Sequence, residues 1–150
     1  MRLQKNTRLA LYSVLEFAAN PTRHISAAEI ADKYGVSPHH LAKVLSELAR
    51  AGVVASVRGV GGGYRFAGNA RRLTLMDVIT QFEDLSPPPD DTGERTPAGQ
   101  ALAVVLYEID ENARATFSSI TLATMLRLID RQRERGDGSS ASPHLRRSAG

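Results

Sequence analysis

Ser26-Ala-Ala-Glu-Ile-Ala-Asp-Lys-Tyr-Gly-Val-Ser-Pro-His-His-Leu-Ala-Lys-Val-Leu-Ser-Glu-Leu-Ala-Arg-Ala-Gly52 reads as two short helices joined by a glycine turn. Ser26 and Glu29 have the spacing of a capping box, in which the serine oxygen accepts a helical amide and the glutamate reaches back to the cap amide. The helix that starts there presents Ala27, Ile30, Ala31 and Tyr34 on one face and stops at Gly35, where a positive φ allows a tight turn. Ser37 caps the second helix and Pro38 suits its first position. Leu41, Val44, Leu45 and Leu48 recur at helical spacing until Gly52 ends the run. The opposite face carries His39, His40, Lys43, Ser46 and Glu47. A short polar face that begins at a helix N-terminus is what a recognition helix offers to base edges and phosphates in a major groove.

A hairpin follows with no linker. Val53 to Arg58 and Tyr64 to Ala67 are β-prone, and Gly59-Val-Gly-Gly-Gly63 between them is almost free of side chains. Arg58 and Arg65 flank that loop. Such a wing can press amides against phosphates and place an arginine in a narrow minor groove. A glycine-rich loop also occurs in nucleotide-binding enzymes, but this one lacks the Walker lysine and lies between two strands rather than between strand and helix. Helix-turn-helix pairs also occur in proteins that never touch DNA; the attached basic wing is what favours the DNA reading here.

The 150 residues are 42% hydrophobic, enough for one core and an interface, and no apolar run approaches the ~20 residues of a membrane span. Met1-Arg-Leu-Gln-Lys-Asn has no signal-peptide pattern, so a cytoplasmic location is expected. Residues 1–80 hold 11 Lys and Arg against 5 Asp and Glu, a balance of +6, whereas residues 81–150 hold 8 against 11, a balance of −3. The positive field therefore lies on the half with the reading unit. Charge alone does not decide, since a basic face is often merely solvated.

Leu11, Val14, Leu15 and Ala18 give a first helix its core face, ending near Asn20-Pro21. Thr74 and Asp77 cap a helix that buries Leu75, Val78, Ile79 and Phe82. Ser86 to Gly93 is rich in proline and acid, which predicts a loop. Beyond it, Leu102, Leu106, Ile109, Ala113, Phe117 and Ile120 form a stripe widened by Val104 and Val105. A helix apolar on so much of its circumference either packs its own domain on one side and a partner on the other, or lies buried within one chain. The first reading places a dimer interface on Leu102, Leu106, Ile109, Ala113 and Phe117. Thr121 to Arg131 can add a last helix, and the Gly, Ser, Arg and Pro content from Gln132 onward predicts disorder.

The expected fold is therefore mainly α with a small β-hairpin wing. Residues 1–83 form a winged helix-turn-helix DNA-binding domain, 84–96 a loop, 97–131 dimerisation helices and 132–150 a disordered tail. The candidate DNA-binding residues are Ser26, Ser37, Pro38, His39, His40, Lys43, Arg58, Gly59, Gly62, Gly63, Tyr64 and Arg65.

Met1-Arg-Leu3, Ile30 to Ser37, Leu41-Ala-Lys-Val-Leu45, Leu48 to Gly52, Val57 to Arg65, Leu75 to Ile79 and Thr121 to Met125 together resemble the Rrf-two family of bacterial winged-helix transcription regulators. The most specific piece is Arg58-Gly59 with Gly62-Gly63. The resemblance implies a homodimer on a roughly palindromic double-stranded DNA operator, with the long helix crossing its twin. It puts Ser37, Pro38, His39, His40 and Lys43 at groove-facing positions and Arg58 at the wing arginine. Cluster-binding members hold iron-sulfur through three cysteines in the loop corresponding to Ser86 to Thr96, and some add a carboxylate at the position of Arg8. This chain has no cysteine, and Arg8 would repel a cluster. An iron-sulfur cofactor and thiol-based sensing are excluded by that count.

No other metal or catalytic set emerges. The histidines are His24, His39, His40 and His144, and the adjacent pair points about 100° apart on a helix, unlike an i, i+4 chelate. No serine sits in a nucleophile elbow, so no enzyme is expected. The expected function is a homodimeric DNA-binding regulator acting as a repressor without a cofactor; the alternative is a winged-helix dimer that serves as a protein-interaction adaptor. A small-molecule effector, a protein docked on the acidic loop, or concentration alone remain open as the signal.

Overall fold

The computed structural model describes residues 2–85 and 95–139. The elements run α1 (Lys5–Ala19), α2 (Ala27–Tyr34), α3 (Pro38–Arg50), β1 (Val54–Val57), β2 (Gly63–Phe66), α4 (Leu75–Ile79), α5 (Pro97–Ser119) and α6 (Leu122–Ser139). The fold is mainly α with a two-stranded antiparallel hairpin, as expected. Val54 pairs with Phe66 and Val57 with Gly63, so the first strand is one residue shorter at each end than its β-prone run, and the second keeps its length but starts and ends one residue earlier.

The core forms around α1, which packs on α3, α4, α6 and β2. Val14 and Ala18 are buried as expected, but so are Leu9, Ala10 and Phe17, while Leu11 and Leu15 are only partly buried. A helix covered by four elements buries more than one stripe, and this is why the single apolar face read from α1 missed Phe17. On α3, Leu41, Val44, Leu45 and Leu48 are all 2% exposed or less. On α2, Ile30 and Ala31 are buried, and Ala27 and Tyr34 lie half-buried against the same cluster. α4 buries Leu75, Val78 and Ile79, with Phe82 half-buried just beyond its end.

Long-range polar contacts close the body. Glu83 accepts the Gln4 amide (2.7 Å) and the Thr7 hydroxyl, so it supplies the N-terminal cap that α1 lacks locally. The Leu75 amide donates to Ile120 and the Leu122 amide to Leu73, which stitches the start of α6 to the entry of α4. Arg114 on α5 donates to the Leu85 carbonyl (2.7 Å).

α5 differs from the other helices in burying no residue at all. Phe117 and Ile120 pack against the core, whereas Leu102, Leu106 and Ile109 are 58%, 51% and 51% exposed. The tail boundary at Gln132 is corrected: α6 runs on to Ser139; Arg131, Gln132, Arg133, Glu134 and Arg135 are good helix formers and Arg133 pairs with Asp130 one turn back, which carries the helix past Gln132. Residues 140–150, and with them His144, lie outside the described residues, as do loop residues 86–94. Among the described residues no helix is long and apolar enough to cross a membrane.

Candidate DNA interface

The two-helix unit is built from local hydrogen bonds at the sites read from the sequence. Ser26 Oγ accepts the Glu29 amide (3.2 Å) and Glu29 Oε2 accepts the Ser26 amide (3.0 Å), while the other glutamate oxygen pairs with Arg23. Gly35 ends α2 at φ +64, a backbone region in which a side chain is strained. Ser37 Oγ then accepts the His40 amide (3.0 Å) and Pro38 occupies the first turn. With Leu41, Val44, Leu45 and Leu48 holding the inner face of α3, Ser37, Pro38, His39 and Lys43 are left exposed at and beyond its N-terminus. Orphan amides and the positive end of the helix dipole lie there, which suits an anionic partner.

His40 departs from that group. It is half-buried, and its Nε2 is shielded from solvent without a hydrogen-bond partner among the described residues. The ring therefore turns partly into the protein, unlike that of His39.

The wing is anchored to the two-helix unit by a contact the sequence does not announce. Ile25, the residue before the Ser26 cap, donates its amide to Tyr64 (2.8 Å) and accepts the Tyr64 amide (2.9 Å). A Cβ on Gly63 would lie 2.6 Å from the Ile25 carbonyl oxygen, so glycine is required there for this internal contact. Tyr64 sets its ring edge-on to Phe17 at 6.4 Å and packs against the core. Ser26, Gly63 and Tyr64 are thus brought together, with Gly63 and Tyr64 in supporting positions rather than at the outer surface. Arg58, Gly59 and Arg65 are exposed, and Gly62 is partly covered by the backbone of its own loop. The sequence reading passed over two residues here: Ile25, the bridge, and Val60, the apex of the loop.

A second polar cluster ties α2 to α1. Glu16 accepts from Lys33 and from the Tyr34 hydroxyl (2.6 Å), and Tyr34 stacks on Tyr12 with ring centres 5.0 Å apart. Burial alone would raise the Glu16 pKa, but the hydrogen bonds from Lys33 and Tyr34, with the charges of Lys33 and Arg133, carry it below its ordinary value. Burial, and then the Glu16 carboxylate, pushes the Tyr34 hydroxyl well above its usual range. The first helix of the reading unit is held to the core through this charge-assisted contact.

A family model named Rrf2, described as an iron-dependent transcriptional regulator, matches residues 3–128. The chain belongs to the Rrf2 family. It is 50% identical over 151 residues to a protein of Rhodopseudomonas palustris named as an HTH-type transcriptional regulator, BadM, covering 96% of this chain and 95% of that one. Among solved structures it is similar to CymR, the global cysteine regulator of B. subtilis, with a TM-score of 0.72 at 26% identity over 85% of this chain and 98% of that one. The fold is also shared with IscR of T. potens, with a TM-score of 0.69 at 22% identity over 97% of this chain and 96% of that one. This Rrf2 member is accordingly a transcriptional regulator and not an enzyme.

The iron in the family description does not fit these residues. Iron-sulfur ligation rests on thiolates, and the chain has none. Among the described residues no three His, Asp or Glu side chains gather as a metal would need, and Arg8 is an exposed cation.

Proposed function

We propose that this Rrf2 member is a cytoplasmic, homodimeric, sequence-specific repressor that reads a roughly palindromic DNA operator without an iron-sulfur cluster. Residues 1–83 serve as the winged helix-turn-helix DNA-binding domain and 97–131 as the dimerisation helices. The observation that carries the reading is the exposed N-terminal face of α3, with Ser37, Pro38, His39 and Lys43, on a unit to which a wing bearing Arg58 and Arg65 is fastened by the Ile25–Tyr64 bridge. α3 supplies base-edge contacts, and the wing arginines supply phosphate and minor-groove contacts. The dimer reading is supported by α5, where Leu102, Leu106 and Ile109 share one face that stays exposed among the described residues. A second copy crossing there buries that face twice over through the same residues, as a twofold interface requires.

The test is selection of genomic fragments by the purified, metal-free protein at low and near-physiological salt. Enrichment of a short palindromic site supports the reading, and affinity should then fall with salt at a log-log slope of about −0.9 per neutralised phosphate. Sequence-blind binding, or none, would overturn it.

A further inference from the structure

The wing ends in a single hydrophobic side chain that no internal contact explains. Val60 is fully exposed, whereas the next most exposed large apolar side chains among the described residues, Val104 and Tyr107, stand at 65%. It sits on a hydrogen-bonded turn. The Gly62 amide donates to the Gly59 carbonyl (2.9 Å) across a four-residue turn in which Gly61, at φ +76, takes the positive-φ position of a type II turn. A Cβ on Gly62 would meet the Val57 and Gly59 carbonyl oxygens at 2.5 and 2.8 Å, so that position cannot widen the tip. The apex is therefore one side chain wide, with Arg58 and Arg65 exposed at its base.

An isopropyl group gains nothing from phosphates or solvent, and the Gly62 amide beside it is already taken by the turn. A narrow apolar tip between two cations matches a minor groove about 6 Å wide, whose walls are phosphates and whose floor is base edges. The floor is flat at A·T pairs but carries the guanine 2-amino donor at G·C pairs. An aliphatic side chain pressed against that donor strips its water and offers no acceptor, which is costly.

We propose that Val60 is a specificity-determining residue that reads the minor groove and rejects the purine 2-amino group. This rests on the DNA-reading function above. Phosphate contacts by Arg58 and Arg65 hold the wing in the groove, and Val60 selects the sequence beneath it.

The experiment uses the full-length protein and a site located by footprinting. Adenines under the wing are replaced by 2,6-diaminopurine, which adds the amino group, and guanines there by inosine, which removes it. For the wild-type protein, the added group should weaken binding by about tenfold and its removal should tighten binding by a similar factor. Val60→Gly should respond to neither change. Val60→Thr keeps the shape and offers a hydroxyl acceptor, so its penalty should shrink to about twofold. Neither variant should alter the salt slope, since no phosphate contact is lost. If wild-type and variant proteins respond alike to the amino group, Val60 does not read the groove, although operator binding stands. If the wild-type protein protects no site, the DNA reading itself fails and the assignment falls with it.

Discussion

α3 and α5 begin with the same chemistry and end in opposite states. Ser37-Pro38 and Thr96-Pro97 each place a hydroxyl that accepts an amide at 3.0 Å ahead of a proline in the first turn. Both helices then carry an apolar stripe. On α3 the stripe is buried to 2% exposure or less, while on α5 Leu102, Leu106 and Ile109 stay more than half exposed. Caps and periodicity decide that a helix forms and which face is apolar; they do not decide what covers that face. A covered side chain should therefore act on stability, and an uncovered one on association.

Leu45→Ala tests the covered side of this contrast. Loss of a fully buried leucine should cost about 2–5 kcal/mol in urea unfolding, and a change under about 1 kcal/mol would show that the α3 face is not core. Replacing Leu106 and Ile109 together by Glu tests the uncovered side. Unpaired charge at a twofold seam should weaken dimerisation by about a hundredfold or more in sedimentation equilibrium, with the helical circular dichroism of the winged body retained. An undiminished dimer would move the interface off this face.

Smaller effects sharpen the contrast within the wing. Gly63→Ala places a Cβ 2.6 Å from the Ile25 carbonyl; it should cost about 1–3 kcal/mol and speed hydrogen exchange at the Ile25 and Tyr64 amides. Unaltered exchange would mean that the bridge does not anchor the wing. Arg58 is exposed, so Arg58→Ala should leave stability within about 0.5 kcal/mol. It should weaken operator binding by about tenfold and lower the salt slope by about one. Unchanged affinity would remove Arg58 from the interface.

The smallest effect lies between these extremes, at the partly covered Glu16. Its pKa is held below the ordinary 4.5, so its charge stabilises the fold above that value and the contribution is lost as pH falls through the lowered pKa. Glu16→Gln should lose less than about 1 kcal/mol at neutral pH and flatten the acid side of the stability profile below pH 4.5. An equal loss at pH 7 and pH 3 would assign the effect to packing instead of charge.

The amino-acid sequence by itself determined both capping boxes, the Gly35 turn, the buried face of α3, the hairpin, the family and the absence of thiolate ligands. The caps, the turn and the α3 face depend on residues within a few positions of one another, where a hydroxyl, a proline or a repeated leucine acts over a single turn. Only the tertiary structure decided that Ile25 bridges Tyr64, that Glu83 caps α1 across 79 positions, that Phe17 is core and that Val60 stands alone at the wing apex. Those outcomes follow from packing between elements distant in the chain, where no spacing rule links the partners. The sequence could show that Gly62 and Gly63 would be compact, but not which carbonyls would press against them.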